Sequence, residues 1–424
     1  MKCDESLRRQ GTVQLMLIVV TLMMGPSAWA AGKYKTLHTF QPSDGSQPSA
    51  DLIFDAEGNL YGTAAGGGPN ASGTVFKLAP NPDGSWTQSV LYGFCSLSNC
   101  VDGATPQGDL IFDGAGNLYG TTANGGVSNF GAVFKLMPNP AGSWKESVLY
   151  SFTGTGGRDG GEPIAGVIFD TSGNLYGTTL RFGAGGKGVV FELTPNTDGS
   201  WTESVLHSFT GGTDGEGPWA GVIFDQAGNL YGTTVLGGAQ GDGAVFRLAP
   251  NPDGSWKESV LYSFRGKEGG YLYTPVIFDG AGNLYGAAFN FGPHGGGVVF
   301  KLTPNPDGSW KESALHSFCS LKNCRDGYSS VSRLIFDQAG NLFGTTELGG
   351  HMSTMGCEAG CGVVFKLAPN SRGGWTETVL HTFLDRPGAD PNAGLIFDTS
   401  GNLYGTTAGD NQGKTFGSVF EIKP

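Results

Sequence analysis

After Met24 the chain has no long apolar run. A membrane-spanning helix takes about 20 consecutive apolar residues, so a helical membrane bundle is excluded. Basic runs are missing too: 25 Lys and Arg stand against 37 Asp and Glu, a formal net charge of −12. Such a surface repels phosphate backbones and anionic lipid heads, which disfavours nucleic acid and anionic membranes as partners. The chain lacks a G-x-S-x-G nucleophile elbow and an H-E-x-x-H zinc helix, and no cofactor is expected.

The one apolar run, "LMLIVVTLMM" from Leu15, is ten residues long; Lys2, Arg8 and Arg9 precede it, and small residues at Ala28 and Ala30 follow. This is the pattern of a secretory signal peptide, with cleavage expected after Ala30. The product would be secreted or periplasmic/extracellular, without a membrane span. No sorting tail follows the terminal "VFEIKP".

What the chain does have is glycine, 74 residues of it without a collagen-like period. That composition fits many short strands joined by tight turns. It also has repetition. "LIFDAEGNLYGT" at Leu52 returns in near-copies at Leu110, Val167, Val222, Val276, Leu334 and Leu395, so successive repeats begin 54 to 61 residues apart. Each repeat carries four strand-length segments, named A to D here. In the third copy they are Gly166–Asp170, Asn174–Thr179, Gly188–Leu193 and Ser200–Phe209. None has the length or spacing of a helix. Turn chemistry separates them: Asp170 to Asn174 between A and B, and Asn196 to Gly199 between C and D.

Four antiparallel strands at a fixed period predict an all-β, seven-bladed β-propeller, a single domain over residues 33–422. Strands A, B and C recur seven times, whereas D follows C only six times. The missing D strand is "KYKTLHTF" at Lys33, similar to "TETVLHTF" near the C-terminus. The N-terminal strand is therefore expected to complete the last blade, which removes an exposed strand edge.

The pattern "DGxxPxAG-LIFDxxGNLYGTT-GG-GxVFKL-VLxSF", with Asp159, Gly160, Pro163 and Ala165 in one instance, resembles the GloVer tandem-repeat family of exported bacterial proteins. The resemblance implies an exported propeller-like protein, often with a C-terminal anchor, and implies no established activity.

The repeated aspartates (Asp55, Asp113, Asp170, Asp225, Asp279, Asp337, Asp398) are read as hairpin residues, because every hairpin needs one and the spacing is not that of a calcium loop. Likewise His38, His207, His316 and His381 share a strand D column with Tyr92, Tyr150 and Tyr262, which points to packing with a polar tip. The tryptophans that open strand D, Trp86 to Trp375, are read as packing residues. Of the seven cysteines, Cys3 lies in the leader. The other six are expected to close locally as Cys95–Cys100, Cys319–Cys324 and Cys357–Cys361, with cross-pairing between the last two pairs as the alternative.

If the repeated residues build scaffold, function lies where the blades differ, on the face of the D–A and B–C loops. Candidate ligand-binding residues there are Arg181, Phe182, Trp219, Tyr271, Tyr273, Asn290, Phe291, His294, Arg325 and Tyr328, with Lys187 and Arg386 nearby. Acidic residues recur on the same face: Asp102, Asp159, Glu162, Asp214, Glu216 and Glu268. The loop "HMSTMGCEAGC" sets His351, Met352 and Met355 beside two cysteines, a set with the softness for Cu(I) unless the cysteines pair. The expected function is a monomeric binding module for a glycan, peptide or cell-surface partner. The alternatives are a metal-dependent propeller enzyme of lyase or lactone-hydrolase type, with its site at the channel mouth, and a structural envelope protein. Converging carboxylates or histidines at that mouth would favour the enzyme; an aromatic groove would favour binding.

Overall fold

A computed structural model of the chain describes residues 33–140, 142–154, 158–352, 357–384, 388–409 and 415–423. The expected leader, Met355 and Arg386 lie outside the described residues. Seven four-stranded antiparallel sheets form a ring, a seven-bladed propeller. Blade 1 runs A (Ile53–Phe54), B (Leu60–Ala64), C (Thr74–Pro80), D (Trp86–Gly93), and its successors repeat that order. In blade 7 the outer strand is Lys33–Thr39, paired antiparallel with Ser418–Lys423 from Lys33↔Lys423 to Thr39↔Ser418. The two ends of the chain thus close the ring, as the strand count predicts.

Strand A is shorter than its apolar run. Only Ile168 and Phe169 pair with strand B in blade 3, because the Asp170–Asn174 turn ends the ladder on one side and the chain enters the channel wall on the other. The three apolar residues divide by direction. Leu52 is buried and packs with Tyr404 and Val419 of blade 7, while Ile53 packs toward Leu110 and Phe112 of blade 2. Phe54 meets the Tyr404 ring edge-on at 5.2 Å.

The blades are joined by rings. The phenylalanine after each strand D packs against the strand C phenylalanine of the next blade: Phe40 on Phe76, Phe94 on Phe134, and so on to Phe383 on Phe420, all with centroids about 5 Å apart. Such pairs add roughly 0.5–1.5 kcal/mol beyond the buried area. That strand C ring explains the glycine of "LYGT". A Cβ on Gly177 would lie 2.6 Å from Cζ of Phe191 and 3.1 Å from the side chain of Val167. The strand B threonines tie neighbouring blades: Thr63 Oγ1 donates to Gly108 O (3.3 Å), Thr178 to Ala220 O (3.0 Å) and Thr406 to Pro48 O (3.1 Å). Blade 5 has Ala287 instead, and there Thr274 Oγ1 donates to Ala287 O at 3.1 Å.

Candidate ligand site at the channel mouth

The hairpin aspartates are fully occupied. Asp55 accepts from the Glu57 and Asn59 amides (3.0 and 2.9 Å), from Asn59 Nδ2 (2.6 Å) and from the Tyr61 hydroxyl (2.9 Å). Burial alone would raise its pKa, but these donors outweigh that and hold the carboxyl below its usual value. The same bonds recur at Asp113, Asp225 and Asp279. This carboxylate closes a turn.

The His/Tyr column is also tied down, and more specifically than packing requires. Its polar tip meets a carboxylate of the following D–A loop: Tyr92 to Asp102 (2.8 Å), Tyr150 to Asp159 (2.9 Å), Tyr262 to Glu268 (2.9 Å) and His38 to Asp44 (3.1 Å). His207 and His316 lie 3.5 and 3.6 Å from Asp214 and Asp326. Several of the acidic loop residues are therefore loop anchors; Asp102 also accepts from Ser96 N and Leu97 N. His381 stacks on Tyr34 at 4.0 Å. Behind these contacts lies a column of strand D glutamates: Glu146, Glu203, Glu258, Glu312 and Glu377. Burial and then the nearby loop carboxylate raise each to about 7.

The described loop candidates do not form one site. Phe182 packs edge-on against Phe130 (4.9 Å), Tyr271 packs at a tilt against Phe291 (5.2 Å), and the Tyr328 hydroxyl donates to Asn290 Oδ1 (3.3 Å). His294 and Arg325 are exposed on the rim. His351 is exposed and Met352 is 47% exposed. All three local disulfides form, so the sulfurs of Cys357 and Cys361 are bonded to each other. Among the described residues no three His, Cys, Asp or Glu come together to hold a metal ion.

Trp219 and Tyr273 do converge. They line a cavity of about 440 Å³ at the mouth of the central channel. Its wall is built mainly from two columns of the repeat. One lies three residues before each "LIFD" copy: Ser49, Gln107, Ile164, Trp219, Tyr273, Val331, Asn392. The other follows strand B and contributes Ala65, Phe289, Glu347 and Ala408. Both columns sit on the D–A/B–C face. The aromatics form a chain, Trp219 edge-to-face with Tyr273 at 5.1 Å and Tyr273 with Phe289 at 5.1 Å. Trp219 remains 40% exposed. Burial raises the pKa of Glu347. Burial also raises that of Tyr273, helped by Tyr271 and Glu347. The Asn392 side-chain oxygen is buried without a hydrogen-bond partner.

Beside the mouth a second depression of about 370 Å³ shares Trp219 and Tyr273 and adds Arg181 and Lys187. Both cations are paired, Arg181 with Glu162 at 3.3 Å and Lys187 with Glu216 at 2.7 Å.

Below the mouth the channel holds a charged cluster. Residues immediately before the strand A motif line it, and three of the seven are charged: Asp51, Asp109 and Arg333. Arg333 reaches from blade 6 to Asp109 Oδ2 (2.9 Å) and Asp51 Oδ2 (3.4 Å). Asp109 Oδ1 accepts from Asp51 N at 2.8 Å, and Asp51 Oδ1 accepts from Gly394 N at 2.5 Å. Burial would lower the Arg333 pKa, but the two carboxylates hold it above its usual value. Asp51 is raised by burial and by Asp109, against the pull of Arg333 and the Gly394 amide.

The cluster lies immediately before the repeated apolar run, at a position that is Gly or Pro in the other four copies. Phe289, Glu347, Asn392 and Gln107 also belong to the site and are not among the candidates read from the sequence. The available signal was columnar: aligning the seven copies exposes positions that change chemistry inside an otherwise constant repeat.

No curated protein matches the chain. The Gloeobacter/Verrucomicrobia repeat model matches residues 27–158, 139–357 and 258–424, overlapping ranges that span nearly all of it. With seven copies of the repeat closed into a propeller, the chain belongs to the Gloeobacter/Verrucomicrobia repeat family.

Proposed function

We propose that this protein is an exported binding module that presents its channel mouth to a glycan. The observation that carries the reading is the open cavity of about 440 Å³ on the variable face, where a partly exposed Trp219 continues into Tyr273 and Phe289 beside Gln107 and Asn392. Ligand sites combine an apolar wall with a few placed polar groups. Aromatic rings carry the apolar faces of sugars, and amides pair with hydroxyls. Three disulfides are compatible with an extracellular or periplasmic location, and among the described residues no helix is long and apolar enough to cross a membrane. A ring closed by its own termini has no open seam to pair with a second copy, which supports a monomer.

The test is a glycan and peptide array probed with the protein and with Trp219→Ala. A glycan signal should appear and fall by at least about tenfold in the variant, an effect near 1.4 kcal/mol, with its melting temperature unchanged. Binding confined to peptides, or a glycan signal indifferent to Trp219, would remove the reading.

A further inference from the structure

The mouth has a charge character that its shape alone does not reveal. Glu347 lines it, and among the described residues of its wall there is no Lys, Arg or His. The nearest described cations in the adjoining depression, Arg181 and Lys187, are held by Glu162 and Glu216. Deeper in, two carboxyl groups share a single guanidinium, so the floor offers no cation free of an acidic partner. Among its described residues the cavity therefore combines a carboxyl group, that of Glu347, with exposed aromatic surface. Tyr273 links the two, since it packs on Trp219 and feels the charge of Glu347.

Anionic sugars such as uronates would enter against this field. A neutral sugar would leave Glu347 without a counter-charge. A ring bearing an ammonium satisfies both parts at once: the carboxylate pairs with the cation, and the aromatic face attracts it by a cation–π interaction that strengthens as water leaves. We propose that the ligand of the channel mouth is a cationic amino sugar, with its ammonium at Glu347 and its ring on Trp219. This rests on the glycan-binding reading above and names the chemistry the site selects. The volume is at the lower end of the range of small-molecule sites, which suits one or two sugar rings.

The experiment compares a glucosamine disaccharide with its N,N′-diacetylated counterpart, the same two sugar rings with each ammonium turned into a neutral acetamide, by titration calorimetry at pH 7 in low salt. A Lys-containing tripeptide serves as a third probe. The free-amine disaccharide should bind at least about tenfold more tightly than the acetylated one, the ratio expected from one ion pair or cation–π contact. Glu347→Gln keeps the shape and should bring the two sugars to similar affinity, with circular dichroism and melting temperature confirming the fold. Equal binding of the two sugars to the unmodified protein overturns the inference and leaves glycan binding standing. Binding of neither sugar overturns both, as does binding of the tripeptide alone.

Discussion

Arg333→Met tests whether the channel cluster holds the ring together from inside. The substitution keeps an unbranched apolar stem and removes the guanidinium with its charge. Asp51 and Asp109, joined through the 2.8 Å bond from the Asp51 amide, then face each other with no counter-ion in the described channel. Removing one partner of a fully buried pair costs about 3–5 kcal/mol, whereas an exposed pair is worth roughly 0–1 kcal/mol. The side chains here are 40%, 13% and 28% exposed for Arg333, Asp51 and Asp109, so the expected loss at pH 7 is about 1–3 kcal/mol. In a chain of this size each kcal/mol lowers the melting temperature by about 2 °C or less; urea unfolding is the more sensitive assay.

The pH dependence is the sharper signature. Without Arg333 the folded-state pKa of Asp51, already above its ordinary value, rises further. Folding then takes up protons, so part of the loss at pH 7 is recovered as pH falls toward 5. Asp109→Asn on the Arg333→Met background removes the like-charge contact and should restore most of the stability at pH 7. A loss under about 0.5 kcal/mol that neither changes with pH nor responds to Asp109→Asn would refute this account of the cluster.

The strand D glutamates give a second pH effect. Glu203 is raised from its ordinary 4.5 to about 7 by burial and by Asp159, so the stability it permits is full below 4.5 and is lost as pH rises through about 7. Glu203→Gln should leave stability at pH 4 nearly unchanged and raise it at pH 8 by on the order of 1 kcal/mol after allowance for partial exposure; blade 1 already carries Gln88 in this column. Chemical denaturation at both pH values decides it, and an equal effect at each would contradict the assignment. Gly177→Ala should cost about 1–3 kcal/mol by overpacking against Phe191, read by calorimetric melting. Gly173→Ala in the A–B turn, whose Cβ would meet nothing within 4 Å, should lose stability through its φ of +88° alone.

Much of the architecture was legible because repetition multiplies a weak signal. One "VIFD…NLYG" segment is an ambiguous strand pair, but seven at a near-constant spacing imply a ring, and a strand D missing at one end and supplied at the other implies how it closes. The hairpin aspartates were legible for the same reason: Asp170 and Asn174 meet within five residues, so no distant contact was needed to predict the turn. The local disulfides needed only proximity along the chain. The His/Tyr column was read only halfway. That Tyr150 packs followed from its alternation with His, but its bond to Asp159 depends on how the D–A loop folds back.

The candidate site was less legible because it is assembled across blades. Trp219 and Tyr273 stood out as loop aromatics, yet Phe182 and Phe291 stood out equally and pack elsewhere. Glu347 and Asn392 look unremarkable in their own blades. Short-range chemistry, written in the order of residues, determined turns, strand alternation, blade count and closure. The tertiary structure decided which members of each column face a common space. It brought Arg333 to Asp109 across 224 residues of chain and gathered one side chain per blade around the mouth. The physical reason is that a propeller sends the same position of every repeat toward one axis, so a column scattered along the chain becomes a ring only when the sheet closes.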